Sequence, residues 1–260
     1  MQGLTPGTTH FDPADPAPPS MPPLLDLQRI SKDFGGLRVL GGIDLALEAG
    51  HTRVIIGPNG CGKTTLFNII TGAFRPSGGR VVFRGEDITG LAPHRIARKG
   101  IARKFQVPGI YPSLTVAENL EAARLGVGTR HPAADASDLQ RVMARFGLRE
   151  VLDRPAGTLS HGRKQWLEIA MLLNMDAALL LLDEPTAGMS AAETAATADL
   201  LRDLARERGV AVLIIEHDMS FVRAMDCPVV VALRGRVVFE GSYEEAQAHP
   251  DVRDAYLGNA

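Results

Sequence analysis

Short apolar runs alternate along the chain with segments in which apolar residues recur every three or four positions. From about residue 24 the apolar runs are bounded by glycines, a pattern typical of buried strands. The runs that predict strands are LLDLQRI, GIDLALEAG, TRVIIG, GRVVFRG, GIARKF, ALLLLDE, VAVLIIEH, VVVALRG and RVVFEG. The segments that predict helices are KTTLFNIITG, HRIARKG, TVAENLEAARLG, SDLQRVMARFG, the segment around Trp166 and ETAATADLLRDLARERG. Strands that alternate with helices in this way indicate an α/β fold.

The segment that follows LSHGRKQ has a clear helical period. Trp166, Ile169, Ala170 and Leu173 fall at positions i, i+3, i+4 and i+7, which form one apolar face. Ser160 stands where the N-cap of this helix belongs, because a hydroxyl there can accept a hydrogen bond from an amide of the first turn. We therefore expect a helix that begins just after Ser160.

Two cations lie in the first turn of that helix. Arg163 and Lys164 are at the positive end of the helix dipole, where cations are disfavoured, and an anion docking there would reverse the penalty. Ser160 and His161 are adjacent, and adjacent helix positions do not face each other. The segment therefore predicts an anion site rather than a serine–histidine catalytic pair.

Length and composition limit the classes of function. The 260 residues suit one large α/β domain or a domain with a subdomain, and the net charge of −2 argues against a nucleic-acid partner. The only cysteines, Cys61 and Cys227, fit a reducing cytosol. Residues 1–23 hold seven prolines and no Lys or Arg, which predicts a disordered tail. No apolar run is long enough to cross a bilayer, so we expect the chain itself to be soluble.

One cluster of positive charge departs from this balance. It comprises Arg95, Arg98, Lys99, Arg103 and Lys104, and apart from Phe105 it has no interleaved aromatic residue. Such a run is typical of a solvated face, with docking to a membrane partner as the alternative. The cluster does not predict nucleic-acid binding.

A glycine-rich loop separates the strand TRVII from an apolar-faced helix. GPNGCGKT matches the pattern G-x-x-x-x-G-K-[ST] in the strand–loop–helix setting that this motif requires. The glycines let successive backbone amides turn inward and form a concave anion site, with Lys63 reaching the β- and γ-phosphates and Thr64 coordinating magnesium. The residues predicted to bind ATP here are Gly57, Pro58, Asn59, Gly60, Cys61, Gly62, Lys63, Thr64 and Thr65.

Cys61 lies inside this loop, between two glycines. The helix N-terminus and the neighbouring lysine favour a thiolate there, which predicts a reactive cysteine. The alternative is a buried and inert thiol, because free cysteine is among the most buried residue types.

A leucine run ends in two acidic residues. Such a run suits a strand buried on both faces, and the carboxyl ends of strands are where open α/β sheets bind ligands. Asp183 is predicted to hold magnesium through water, and Glu184 to polarise an attacking water. His217 ends another buried strand, and Gln106 follows GIARKF; each of these is a weak signal when taken alone.

Together these residues resemble the ATP-binding cassette (ABC) ATPases over residues 24–260. A Walker A loop, a glutamine loop at Gln106, an LSGGQ-like signature at LSHGR, a Walker B strand and a switch histidine at His217 occur in the family's order. Phe34 lies 29 residues before Lys63, where the family places the aromatic side chain that stacks on adenine. The resemblance implies a P-loop NTPase (RecA-like) fold with an antiparallel β subdomain and an α-helical subdomain at about 107–175.

The resemblance also implies ATP and Mg²⁺ as cofactors and assigns roles to the site residues. Glu184 is the expected general base, and His217 is expected to contact the γ-phosphate. Gln106 is expected to sense the magnesium ion and the attacking water. The metal is expected at Thr64, Gln106 and Asp183.

In that family the signature serine and the following glycine bind the γ-phosphate of a nucleotide held by another subunit. The resemblance therefore implies that Ser160, His161, Gly162 and Arg163 act across a dimer, whose second ATPase subunit is a copy or a paralogue. His161 and Arg163 depart from LSGGQ, which leaves the role of His161 open. The D-loop, AGMS at 187–190, departs from the common S-A-L-D, so its serine is a weak candidate for cross-dimer signalling.

The closer similarity is to the branch that imports branched-chain amino acids and urea. It is carried by SKDFGGLRVL, GPNGCGKTTLFNIITGAFRPSGG, HRIARKGIARKFQ, LTVAENL, IIEHDMSFV and DVRDAYLG. The urea-importer ATPase is the member that RKFQ, LSHGRKQWLEIAMLL and DEPTAGMS most resemble. The amino-acid importers more often have LSYGQ and AGLN-like motifs at the corresponding positions. We therefore expect the ATPase subunit of a urea importer first, and of a branched-chain amino-acid importer as the alternative.

That reading implies several partners and a location. The expected partners are separate integral-membrane permease subunits and, indirectly, an extracytoplasmic solute-binding protein. The expected location is peripheral, at the cytoplasmic face of the membrane. An alternative from another class is a soluble single-cassette ABC ATPase of an assembly system.

Overall fold

The computed structural model describes residues 22–105, 109–127, 136–175 and 177–257, and within them the strands form two sheets. The antiparallel sheet contains β1 (Leu25–Phe34), β2 (Leu37–Leu47), β4 (Gly78–Phe83) and β5 (Glu86–Asp87), in the order β2-β1-β4-β5. The second sheet contains β3 (Thr52–Ile56), β6 (Ile101–Lys104), β7 (Leu179–Asp183), β8 (Ala211–Ile215), β9 (Val229–Leu233) and β10 (Arg236–Gly241). Its order is β10-β9-β3-β8-β7-β6, and only β10 runs antiparallel to its neighbour.

The first six helices of the described residues correspond to the six helical segments that the sequence predicts. The helices are α1 (Lys63–Ile70), α2 (Pro93–Ala97), α3 (Val116–Val127), α4 (Ala136–Arg145), α5 (His161–Leu173), α6 (Ala191–Arg208), α7 (Met219–Met225), α8 (Tyr243–Ala248) and α9 (Pro250–Leu257). Two 3₁₀ turns, Arg149–Val151 and Ala156–Thr158, lie between α4 and α5. In the described part of the chain, no helix combines the length and the apolar character needed to cross a membrane.

The central strands are apolar on both faces. In β7, Leu180 and Leu182 face one hydrophobic cluster, while Leu179 and Leu181 face a second. The first cluster is completed by α3 to α9, and the second by α1, α2 and the antiparallel sheet. This explains why the strand reads as an unbroken leucine run rather than as an alternating pattern.

Helix α5 has the apolar face that its spacing predicts, because Trp166, Ile169 and Leu173 are all buried. The Trp166 ring stacks on Phe146 with the ring centroids 4.2 Å apart, and its Nε1–H donates to Thr197 Oγ1 at 2.9 Å. Such an aromatic pair contributes about 1 kcal/mol beyond the burial of its surface. The Trp166 side chain thus joins α5 to α6 and to the residue that follows α4.

Four short elements were absent from the sequence prediction: β5, α7, α8 and α9. The N-cap of α7 is Asp218, whose carboxylate accepts from Ser220 N at 2.8 Å, and α8 begins with a capping box of Ser242 and Glu245. These capping residues are the sequence signals that could have located α7 and α8. The tail predicted at residues 1–23 lies outside the described residues apart from its last two.

Candidate functional site

The parallel strands end at one edge of the sheet, and the predicted motifs follow directly from those ends. The loop 57–62 follows β3, Asp183 closes β7, and His217 lies two residues beyond β8. Ile215 of β8 pairs with β3 on one side and with Asp183 of β7 on the other. His217 therefore emerges between the glycine-rich loop and the acidic pair, at the edge where α/β sheets bind ligands.

Glycine is required at both ends of that loop. A Cβ atom at Gly57 would lie 2.2 Å from the Ala232 carbonyl oxygen. Gly62 has a φ of +100°, and a Cβ atom there would lie 2.6 Å from Leu40 Cδ2. The loop can therefore follow this path, directly before the first turn of α1, only without side chains at these two positions.

The lysine of the loop is folded back over it. Lys63 Nζ donates to the carbonyl oxygens of Gly57 at 2.7 Å and Pro58 at 3.0 Å, although the side chain is largely buried. A buried ammonium held by two backbone carbonyls, at the positive end of α1, provides a site of positive potential. The arrangement fits a polyphosphate, whose charged oxygens are stronger acceptors for this ammonium than neutral carbonyls.

Asp183 is buried and paired with Arg103, although the charge pattern predicted a solvated face for Arg103. Arg103 Nη2 lies 3.2 Å from Asp183 Oδ2, and its Nη1 donates to Asn68 Oδ1 at 2.6 Å. Burial raises the pKa of the Asp183 carboxyl above its usual range, and the charge of Arg103 opposes that rise. A buried carboxylate and the exposed hydroxyl of Thr64 are the hard oxygen ligands that Mg²⁺ prefers, so these residues fit the ion.

Lys104, which follows Arg103 on β6, is also buried. The side chain of Lys104 is 0% exposed, and its Nζ lies 3.5 Å from Glu168 Oε2 on α5. The prediction of a solvated basic face is therefore wrong for Arg103 and Lys104, whose partners come from distant parts of the chain. Glu168 also accepts from Gly109 N at 2.9 Å. Gln106, predicted as a catalytic and metal-sensing residue, lies outside the described residues.

Glu184 and His217 lie side by side. His217 Nε2 is 3.4 Å from Glu184 Oε1. Glu184 has a φ of +49°, a left-handed conformation that costs a residue with a side chain about 1–3 kcal/mol. Such strain is common at functional sites, where it fixes the direction of a side chain. A carboxylate and an imidazole in this arrangement can accept a proton and contact an anion, respectively.

The signature turn, residues 160–163, has the N-cap that the sequence predicts. Ser160 is the N-cap of α5, and its hydroxyl accepts from Arg163 N at 3.4 Å. Gly162 is buried, and a Cβ atom there would lie 2.4 Å from Glu193 Oε1 of α6. The first turn of α5 therefore packs closely against the start of α6.

His161 joins the signature to the D-loop of the same chain. Its Nε2 lies 2.8 Å from the Ala187 carbonyl oxygen, and it must donate because a carbonyl only accepts. Ser190, in contrast, is the N-cap of α6 and forms a capping box with Glu193. The role of His161, which the sequence left open, thus includes this contact with the D-loop. The Ser190 hydroxyl has a structural role as a helix cap.

Phe34 keeps its ring partly open to solvent, with 42% of the residue exposed. Phe74 meets it edge-on at a centroid distance of 5.6 Å, and Lys32 Nζ lies 4.8 Å from its centroid. These contacts fix the orientation of a flat aromatic surface at the end of β1.

Cys61 is buried and Cys227 is half-buried. Cys61 is 5% exposed and belongs to the apolar cluster beneath the loop, which favours the inert alternative over the reactive one. Burial raises the pKa of the Cys227 thiol from 9.0 to about 12. Cys227 therefore carries about 10³-fold less thiolate at neutral pH than an exposed cysteine.

We expect the native protein to react slowly with Ellman's reagent at neutral pH, because Cys61 is buried and the raised pKa of Cys227 leaves little of the reactive thiolate. The reaction of Cys227 should accelerate about tenfold for each rise of one pH unit up to its pKa. Absorbance of the released thionitrobenzoate, with the protein unfolded in guanidinium chloride as the fast control, measures both. Rapid native labelling that disappears in Cys61→Ser would show instead that Cys61 is reactive.

A parallel sheet that presents a glycine-lined phosphate loop beside a buried aspartate defines the P-loop nucleotide-hydrolysing proteins. Comparison with known proteins narrows this class. The family model described as "ABC transporter" matches residues 40–187, and that described as "Branched-chain amino acid ATP-binding cassette transporter" matches residues 236–260. The chain belongs to the ABC transporter ATP-binding proteins, and it is an ATPase that uses ATP with Mg²⁺.

Individual relatives match along almost their whole length. The chain is 37% identical over 252 residues to the high-affinity branched-chain amino acid transport ATP-binding protein BraF of Pseudomonas aeruginosa, covering 92% of this chain and 99% of that protein. It is 35% identical, with the same coverage, to the corresponding protein LivG of Escherichia coli.

Solved structures show the same cassette fold. The ADP conformation of MJ1267, an ATP-binding cassette of an ABC transporter, matches with a TM-score of 0.79 at 30% identity. That match covers 92% of this chain and 100% of the other. A dimeric cassette, MJ0796, matches with a TM-score of 0.74 at 23% identity and supports the fold alone. The P-loop fold class predicted from the sequence is therefore confirmed.

Proposed function

We propose that this protein is the ATP-hydrolysing subunit of an importer of branched-chain amino acids. The observation that carries the proposal is the nearly full-length similarity to two ATPases named for branched-chain amino acid transport, together with the C-terminal match to that family. Urea, which the sequence motifs predicted as the first candidate solute, receives no support from these relatives. It remains the second candidate on the strength of RKFQ, LSHGRKQWLEIAMLL and DEPTAGMS alone.

In this proposal the loop 57–62 and the first three residues of α1 bind the phosphates of ATP. Lys63 exchanges its two carbonyl partners for phosphate oxygens, and the N-terminus of α1 adds backbone donors. Thr64 and Asp183 hold Mg²⁺, with Gln106 as a further contact. The ion neutralises charge on the phosphates when bound.

Glu184 and His217 act on the reacting groups. Glu184 accepts a proton from the attacking water, and the left-handed backbone at this residue fixes its direction. His217 contacts the γ-phosphate through the imidazole that lies beside Glu184. Both side chains come from neighbouring strand ends, which keeps their separation fixed by the sheet.

The start of α5 completes a site on another subunit. Ser160, His161, Gly162 and Arg163 face the γ-phosphate of a nucleotide bound by the partner cassette, which is a second copy or a paralogue. The helix dipole and the two nearby cations favour such an anion. Permease subunits carry the solute through the membrane, an extracytoplasmic solute-binding protein delivers it, and this chain is peripheral at the cytoplasmic face.

Replacing Phe34 by alanine is expected to raise the KM for ATP about tenfold with little change in kcat. Stacking of a base on an aromatic ring contributes about 1–3 kcal/mol, and 1.4 kcal/mol corresponds to a factor of ten. Steady-state hydrolysis by the purified protein measures both constants, and Phe34→Tyr is the matched control that keeps the ring. An unchanged KM for Phe34→Ala would remove this residue from the adenine site.

The transported solute is tested by uptake. Cells that lack this gene should take up labelled leucine more slowly than the parent strain, while uptake of labelled urea is unchanged. Wild-type protein should restore leucine uptake, and Lys63→Ala, made in equal amounts, should not. Loss of urea uptake instead would favour the second candidate. No loss of either would contradict the importer proposal and favour the soluble assembly ATPase.

A further inference from the structure

Four hydrogen bonds converge on one buried carboxylate beside the switch histidine. Glu216 is 3% exposed and lies between β8 and His217. Its Oε1 accepts from Thr186 Oγ1 at 2.6 Å and from Thr186 N at 3.2 Å. Its Oε2 accepts from His217 N at 2.8 Å and from Asp218 N at 3.2 Å. A single side chain therefore binds the backbone of two loops that leave neighbouring strands.

These bonds lie just beyond the end of the β7–β8 ladder and link the two loops that follow it. The β7–β8 ladder pairs Asp183 with Ile215, and Glu184 N donates to the Ile215 carbonyl oxygen at 2.9 Å. Beyond this point the two chains separate, and the Glu216 carboxylate bridges them. On one side of the 3.4 Å contact between Glu184 and His217 it binds the His217 amide, and on the other side it binds Thr186, two residues after Glu184.

The donors on these two loops require a carboxylate in particular. All four groups donate, and an ionised carboxylate accepts through both oxygens. A glutamine of the same shape would direct an NH₂ group at one pair of donors. Bonds to an ionised acceptor are also shorter and stronger than neutral ones.

We propose that Glu216 is a positioning residue for ATP hydrolysis, which holds His217 in register with Glu184 and ties both to the start of the D-loop. The proposal rests on the proposed roles of His217 and Glu184. Thr186 immediately precedes Ala187, whose carbonyl oxygen accepts from His161. A contact between His217 and the γ-phosphate is thereby connected to the D-loop and to the signature turn of the same chain.

The test compares Glu216→Gln and Thr186→Val with a matched control. Thr89→Val removes another threonine hydroxyl, which accepts from Val81 N at 2.9 Å on the antiparallel sheet. For each purified full-length variant, kcat, KM for ATP and Tm are measured. We expect Glu216→Gln to lower kcat about tenfold or more and Thr186→Val about threefold, with KM within twofold. We expect Thr89→Val to keep kcat within twofold despite a lowered Tm.

A kcat for Glu216→Gln within twofold of wild type would overturn the proposal, and so would a fall no larger than that of Thr89→Val. If Glu216→Gln does not fold, Thr186→Val decides alone, because it keeps the carboxylate and removes only the 2.6 Å bond. An unchanged kcat for Thr186→Val would then overturn the proposal.

A double variant separates positioning from a general loss of stability. Single-turnover hydrolysis with labelled ATP is measured for His217→Ala and for His217→Ala combined with Glu216→Gln. If Glu216 acts through His217, the second change lowers the rate of His217→Ala by no more than twofold. A full additional tenfold loss would overturn the positioning role. If His217→Ala alone retains the wild-type rate, the proposed role of His217 fails, and the positioning role fails with it.

Discussion

Replacing Glu184 by glutamine is expected to lower kcat for ATP hydrolysis by about 10²-fold or more while ATP binding is retained. Glutamine keeps the size of the side chain and its ability to form hydrogen bonds, but its amide does not accept a proton. The left-handed backbone at this position already directs the side chain toward His217, so the variant should keep the local structure.

Two measurements check this prediction. Steady-state hydrolysis gives kcat, and gel filtration with MgATP detects the closed, ATP-bound dimer, which should accumulate when hydrolysis is blocked. Glu86→Gln is the matched control, because this carboxylate is exposed and lies on the antiparallel sheet. A kcat for Glu184→Gln within a factor of two of wild type would remove Glu184 from the role of general base.

A mixture of two inactive variants is expected to regain ATP-driven closure of the dimer. Lys63→Ala removes the ammonium that the loop carbonyls hold, and Ser160→Arg removes the cap of α5 and adds bulk there. In a two-fold symmetric dimer each composite site contains the loop of one subunit and the signature of the other. Each variant alone then has two damaged sites, whereas a mixed dimer collects both lesions in one site and leaves the other intact.

Energy transfer between labelled subunits measures closure of the mixed dimer. Labelled wild-type subunits, mixed under the same conditions, establish that exchange takes place. No recovery in the mixture of variants, when the wild-type subunits do exchange, would sink the assignment of the signature to the partner's nucleotide. If the native partner is a paralogue, the two lesions are divided between the two chains.

Features whose cause is local in sequence could be predicted. The phosphate loop is one, since the glycines, the lysine and the flanking strand and helix all lie within a short stretch. The leucine run of β7 is another, because a strand between two hydrophobic clusters has no need of polar positions. The cap of α5 at Ser160 belongs to the same group.

Features whose cause lies in distant partners could not be predicted. Arg103 and Lys104 looked like part of a solvated run, yet Asp183 and Glu168, which pair with them, lie far along the chain. The position of Glu216 could not be predicted for the same reason, because its donor Thr186 comes from the loop after another strand. No periodicity in a single sequence shows which strand ends become neighbours; the sheet order decides it.

The most direct measurement of the central claim is ATP hydrolysis by the transporter purified from membranes through a tag on this chain. The complex would be placed in proteoliposomes together with the extracytoplasmic proteins of the same cells. Our account predicts that permease subunits co-purify and that leucine, but not urea, raises the rate of hydrolysis several-fold. It also predicts that Glu184→Gln abolishes the rise. Stimulation by urea alone, or the absence of any membrane protein from the purified complex, would contradict it.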